Sequence, residues 1–377
     1  MELDAYIEVE ETLAGLLVAE WQKRAPVYVE RIMKAVEKGD LDAARESLDL
    51  IDLEPAFKKK KKQVEFYGHK AFLFGIAQLN PDLESASSVR ADVFPQAVKN
   101  SVELMGYTFI ALAGTLRKFA LAEIEKYEDA LSKYETAQKA ETKDWTKKRS
   151  LKDEAELQRI LWQFQDNIED VFDKDSTGLI NLTASMHTSR LASYGYCNEA
   201  MLVGITHYRY KATKDSRTSD ICNYLHNKVF PVEPAYAQLD NILRLNDADA
   251  LKAAAPFAPT SKSGMEEVKT MTDEQLMDKG YAYPPNHPKC RSILEYVEGS
   301  IQVAGLEIPT SNKSLKEILT PTEINALLLN TGVTQATVDL AKATLKAGGS
   351  ALAAMEAAGI SAATLSLVNA LWHWEDY

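Results

Sequence analysis

Asp215–Phe230 reads DSRTSDICNYLHNKVF, and further along the chain Pro284–Ser292 reads PPNHPKCRS. A cysteine after a polar knuckle, answered by a rigid PPxHPxC segment, can bring a thiol, an imidazole and a second thiol to one point. Those groups are Cys222, His287 and Cys290. Proline fixes φ at about −65° and restricts the residue before it. Pro284, Pro285 and Pro288 therefore hold His287 and Cys290 in an extended frame of low entropy.

Working outward, strand character gathers around these two pieces. His207 to Lys211 (HYRYK) alternates aromatic and basic residues, Lys228-Val229-Phe230 follows the knuckle, and Ser292 to Val297 (SILEYV) follows the closing motif. The spacing predicts a small antiparallel sheet holding the two halves together. Residues 232–282 between them read as an insertion of short helices with a turn-rich loop at APFAPTSKSG.

Taken together, the two motifs resemble the phage Mu protein F-like family of minor head proteins, also called phage head morphogenesis proteins. That family shows a D-x-R-T-C-x-x-C knuckle, a strand ending in K-V-F, and a closing P-P-x-H-P-x-C-R-C. This chain keeps Asp215, Arg217, Thr218, Cys222, Lys228, Val229, Phe230, Pro284, Pro285, His287, Pro288, Cys290 and Arg291. Ser219 and Ser292 stand where the first and last cysteines of the pattern sit. The resemblance covers roughly residues 180–297. It implies a minor head protein of a tailed phage, made in host cytoplasm and carried in the virion head at the portal vertex. The implied partners are the portal protein and other head proteins; contact with packaged DNA rests instead on the lysine run Lys58 to Lys62. The implied roles are head assembly, genome packaging and genome delivery.

On the N-terminal side the chain reads as helices. Leu13, Leu16, Leu17 and Trp21 recur at helical spacing, and Ile32, Met33 and Val36 continue the pattern to Gly39. Asp40 is placed to cap a helix through Leu41, Ala44 and Leu48. A long pattern runs from about Phe94 to Tyr134, and another through Leu157, Ile160, Phe164, Ile168 and Val171. Charges of both signs interleave across both, as on the solvated face of an antiparallel pair. Beyond Gly299 the composition shifts to Ala, Leu and Thr. Thr320-Pro321-Thr322-Glu323 is a helix start, and Gly348-Gly349 and Gly359 punctuate the later helices of this region. The resulting fold class is mainly α, with a small central α+β region. Three parts are expected: a helical region over 1–178, the head morphogenesis domain over 179–298, and an Ala-rich helical module over 299–377.

Composition narrows the function classes. The chain of 377 residues has 46% hydrophobic and 26% charged residues, ordinary for a globular protein. A formal net charge of −12 argues against a protein whose main task is coating nucleic acid. The acidic start has no basic region before an apolar core, so it is not a signal peptide, and no window is apolar for long enough to span a membrane. A soluble protein made in cytoplasm is expected. Three cysteines fit a reducing compartment better than a disulfide framework.

Four further constellations have both a chemical and a plain structural reading. A structural zinc at Cys222, His287 and Cys290 needs a fourth ligand, and His226 is the nearest candidate; the alternative is a knuckle held by packing and hydrogen bonds, its thiols acting as small hydrophobes. Asp173 to Asn181 mimics a calcium loop, with Gly178 at its sixth position, but Ala184 stands where the closing carboxylate belongs. A turn between two helices, with Gly178 at positive φ, is the expected structure there. Lys58, Lys59, Lys60, Lys61 and Lys62 could touch phosphates or lie along a solvated helix face. Trp372, Trp374 and Tyr377 could anchor a partner or pack on their own helices.

No GxxxxGK[ST] loop, GxSxG elbow or HExxH helix is present, and no catalytic residue is assigned. The expected function is structural, in the phage head. A metal-dependent nuclease or transferase built on the knuckle is the catalytic alternative, and a DNA-contacting ejection protein is a third reading.

Overall fold

The computed structural model describes residues 3–79, 96–141, 151–297, 299–303, 306–310 and 319–375. The fold is mainly α with a small α+β region. Helices α1 (Leu3–Trp21), α2 (Ala25–Glu37), α3 (Leu41–Leu48), α4 (Glu54–Ala77), α5 (Gln96–Glu141) and α6 (Leu151–Asp170) come first. A π-helical turn (Val171–Asp175) then leads into α7 (Ser176–Leu202). The knuckle region holds β1 (His207–Lys211), α8 (Asp220–Leu225), β2 (Val229–Pro231), α9 (Val232–Leu243), α10 (Ala248–Ala254), α11 (Lys262–Lys269), α12 (Asp273–Asp278) and β3 (Ile293–Tyr296). A hairpin of β4 (Gly299–Val303) and β5 (Leu306–Thr310) precedes α13 (Pro321–Asn330), α14 (Gln335–Lys346), α15 (Ala351–Ala358) and α16 (Ala362–Glu375).

Several helix starts are set directly by the sequence. The Asp40 side chain accepts the Ala43 N–H, satisfying one of the free donors at the start of α3. Thr320 and Glu323 cap each other's backbone in a capping box ahead of Pro321 at the start of α13. The hairpin over 299–310 was not expected from composition. Phe94, the expected start of the long pattern, lies outside the described residues.

The chain falls into two compact units. One comprises Ala14–Lys61 and Gly106–Thr183. Its core is built on Leu17, Trp21, Ile32, Phe57, Phe109 and Phe164, all buried. The expected turn at Gly178 is corrected here. The helix does not break; α6 passes through the π turn straight into α7, and Gly178 lies in ordinary helix. The turn is held from outside its own ladder. The Ser176 hydroxyl donates to the Phe172 carbonyl at 2.6 Å. The Trp21 indole N–H lies 2.8 Å from Ser176 Oγ and 3.2 Å from the same carbonyl.

The other unit comprises Met1–Leu13, Lys62–Met105 and Ala184–Tyr377. Here the backbones of α4 and α7 touch. A Cβ added at Gly75 would meet the Ala192 carbonyl oxygen at 1.9 Å, and one at Gly195 would meet the Phe72 oxygen at 2.2 Å. The sheet has order β2-β1-β3, antiparallel throughout, with Tyr208 opposite Phe230 and Tyr210 opposite Leu294. Alternation along β1 buries Tyr208 and Tyr210 while Arg209 and Lys211 stay partly exposed. A buried polar network joins α7, α9 and the start of α15. Asp240 accepts from Tyr194, Tyr236 bonds Tyr194 and Asn198, and Asn198 and Tyr236 accept the Ala351 and Leu352 backbone N–H groups.

A candidate metal centre

The first half of the site is a loop wound around its own polar side chains. Asp215 accepts the Arg217 N–H at 2.8 Å, and the Thr218 hydroxyl accepts the Asp215 N–H and donates to the Thr213 carbonyl. Ser219 then caps α8, its hydroxyl accepting the Cys222 N–H at 3.3 Å. Cys222 therefore faces inward from the first turn of a six-residue helix and is buried. Asn227 reverses the chain into β2 with φ 69°, a left-handed conformation that asparagine tolerates.

The second half approaches from the prolines. The Pro284–Pro285 bond is cis, and the Pro284 carbonyl is held by the Ser193 hydroxyl at 2.8 Å. Asn286 is buried, and His287 is half-buried. Lys289 has φ 55°, in the left-handed region, just before the buried Cys290. Arg291 then forks onto Asp215, with both nitrogen–oxygen distances at 2.7 Å, and the Thr213 hydroxyl donates to the Arg291 carbonyl. The bidentate pair ties the closing segment to the knuckle loop. It also holds the Asp215 carboxyl far below the usual carboxylate range.

The two halves meet as the sequence reading requires. Ligand atoms of Cys222, His287 and Cys290 all lie within 4.8 Å of one another. Cys222 Sγ is 3.1 Å from His287 Nε2 and 3.7 Å from Cys290 Sγ. His287 Nδ1 lies 2.8 Å from the Pro288 carbonyl, which can only accept. Nδ1 therefore carries a proton, and Nε2 is the atom turned to the thiols.

The electrostatics of the trio result from these contacts. The Cys222 thiol is pushed down, first by the hydrogen bond from Cys290 and then, against burial, by that from His287. Cys290, as the donor to Cys222 and fully buried, is pushed up. Burial lowers the His287 imidazole, but the Cys222 sulfur and the Pro288 carbonyl outweigh it and the net direction is upward. The trio thus favours negative charge on Cys222 over Cys290.

His226, the fourth ligand expected from sequence, stands outside this trio. It ends α8, and its Nδ1 accepts the Ala212 N–H at 3.2 Å. Two residues at the centre were missed by sequence reasoning. The Tyr210 hydroxyl lies 3.3 Å from Cys222 Sγ and 3.8 Å from Cys290 Sγ, and Asn286 Nδ2 donates to that hydroxyl at 3.1 Å. Alternation along β1 signalled that Tyr210 points inward, but nothing local named its partner.

The other residues singled out in the sequence lie away from this centre. The lysine run is on α4, where Lys58 pairs with Glu54 at 3.0 Å and Lys59 with the buried Glu20 at 2.8 Å. Lys60 and Lys61 are half-buried and Lys62 is exposed. Trp372 is half-buried on α16; Tyr377 and the side chain of Trp374 lie outside the described residues. None of the helices is long and apolar enough to cross a membrane, among the described residues.

Residues 142–295 match the family model described as Phage Mu protein F like protein, the family that the two motifs resemble. The matched segment contains both halves of the trio. No curated protein and no solved structure matches the chain.

Proposed function

We propose that this protein is a minor head protein of a tailed phage, docking at the portal vertex, with its knuckle closed by a structural metal ion of zinc's class. The supporting observation is the meeting of Cys222, His287 and Cys290 inside the segment that matches the Mu F-like family. The donor set fits such an ion. Two thiolates bound to one tetrahedral zinc at about 2.3 Å stand about 3.8 Å apart, against 3.7 Å for Cys222 and Cys290 here. The Pro288 carbonyl fixes the His287 tautomer in the way carbonyls orient metal-binding imidazoles. The ion would link two chain segments more than sixty residues apart, Cys222 on one and His287 and Cys290 on the other, and its role is architectural.

Docking is assigned to the C-terminal helices, whose sequence ends in the aromatic residues Trp372, Trp374 and Tyr377 and which carry two exposed leucines. Leu329 on α13 and Leu340 on α14 are 75% and 47% exposed. Hydrophobic anchors of this kind suit another head protein better than DNA, since the chain carries a net charge of −12.

Co-expression with the portal protein of the phage that encodes this chain tests the reading. Co-purification is expected at about 50 mM salt and again at about 200 mM, a range over which phosphate-driven binding falls steeply. The double variant Leu329→Asp, Leu340→Asp should lose the complex while keeping the fold. Absence of any complex would overturn portal docking, and a complex that dissolves by about 200 mM and depends on nucleic acid would replace it with DNA contact.

A further inference from the structure

We propose that the Tyr210 hydroxyl is the fourth ligand of the knuckle ion, giving a site of Cys222, Cys290, His287 and Tyr210. The proposal rests on the metal reading above and supplies what that reading lacks, because a closed structural site takes four ligands. A sulfur and an oxygen on one tetrahedral ion, at about 2.3 and 2.0 Å from it, stand about 3.5 Å apart. Tyr210 Oη meets that spacing at both sulfurs, 3.3 Å from Cys222 and 3.8 Å from Cys290.

The oxygen is also positioned from behind. Tyr210 is fully buried and sits on the middle strand of the sheet, between β2 and β3. Asn286, next in sequence to His287, uses one amide group twice: Nδ2 donates to Tyr210 Oη at 3.1 Å and to the Tyr281 carbonyl at 2.9 Å. A donor locked onto the phenolic oxygen fixes its orientation and stabilises its deprotonated form, the form that binds a cation, as outer-shell partners orient metal ligands. On binding, the phenolic proton leaves to solvent as the metal–oxygen bond forms.

The competing side chains are otherwise engaged. His226 Nδ1 accepts the Ala212 N–H, and Ser219 Oγ accepts the Cys222 N–H as the cap of α8. Ser292, two residues beyond Cys290 and buried, is the strongest rival. It is therefore the control.

The full chain, stripped with chelator and reloaded with Zn(II), provides the test. X-ray absorption at the zinc edge should show two sulfur and two lighter ligands. Ultraviolet difference spectra should show one metal-bound tyrosinate per ion. Tyr210→Phe should abolish that band and weaken zinc more than about tenfold in chelator competition, while Ser292→Ala keeps both. Should Tyr210→Phe not fold, the tyrosinate band of the unaltered protein decides alone. Zinc bound through two sulfurs with no tyrosinate band would overturn the Tyr210 assignment and leave the metal site standing. Loss of zinc in Ser292→Ala but not in Tyr210→Phe would move the ligand to Ser292. An unaltered chain that takes up no zinc would sink both readings.

Discussion

Trp21 fixes an irregular turn through one N–H. Its indole lies fully buried against Phe172 and Tyr28, and its Nε1 reaches both Ser176 Oγ and the Phe172 carbonyl, the groups that a π turn leaves outside the regular ladder. Trp21→Phe keeps most of the apolar contact but removes the donor and opens a small cavity. It should cost about 2–4 kcal/mol, and Ser176→Ala about 1 kcal/mol. Urea denaturation of each variant measures this; equal, negligible losses would mean that the turn holds itself. That Trp21 belongs to a core was legible from its spacing with Leu13 and Leu17. Its partners were not, because a hydrogen bond across about 150 residues leaves no local period. The same divide runs through the candidate metal centre. Cys222 announces itself through its polar knuckle and His287 and Cys290 through their proline frame, whereas Tyr210 and Asn286 are ordinary residues until the sheet and the closing segment are superposed on them.

At the scale of elements, glycine acts in two opposite ways along one helix. Gly195 on α7 and Gly75 on α4 let two backbones touch, since an added Cβ would lie 2.2 Å and 1.9 Å from a facing carbonyl oxygen. Backbone cannot swing aside as a side chain can, so Gly75→Ala and Gly195→Ala should each lose about 3 kcal/mol. Gly178, on the same α7, is helical and has nothing within 4 Å of an added Cβ. Gly178→Ala should therefore stabilise by about 0.5–1 kcal/mol. Melting of the three variants checks the contrast, and a destabilised Gly178→Ala would restore the turn that the sequence suggested. Helical periodicity found α1, α3, α5 and α6 because apolar spacing is local. It could not tell a glycine that breaks a helix from one that admits a neighbour. The Asp173–Gly178 run reads as a loop only because its oxygen-rich residues are also good turn formers; the π turn absorbs them on a helix surface instead.

For the whole molecule, buried charge sets the pH response. The C-terminal helices, which composition marks off after Gly299, are bonded into α7 and α9 through Asn198, Tyr236 and the Ala351 and Leu352 amides. One residue from Asn198, Glu199 is buried, and desolvation pushes its carboxyl up to about 7. A raised folded value means the native state keeps a proton that the unfolded chain gives up. Stability is complete below the ordinary carboxyl value of about 4.5, and falls as pH rises toward 7 by about 3 kcal/mol in all. Glu20 behaves in the opposite sense. Lys59 and Lys23 hold its carboxyl down at about 2, so its contribution is present at neutral pH and is lost as pH falls through that value. Between about pH 4.5 and 6.5 the loss from Glu199 is opposed by His187, whose buried imidazole is pushed down to about 3 and so favours the native state as pH rises. Each contribution is therefore read as the difference between a variant and the parent across a pH series. Relative to the parent, Glu199→Gln should gain stability as pH rises from about 4.5 to 7 and match its acid response; Glu20→Gln should make the acid loss shallower, with Asp215 sustaining the rest. An unchanged slope between about pH 5 and 7 in Glu199→Gln would show that the native carboxyl is already ionised there and that burial does not govern it.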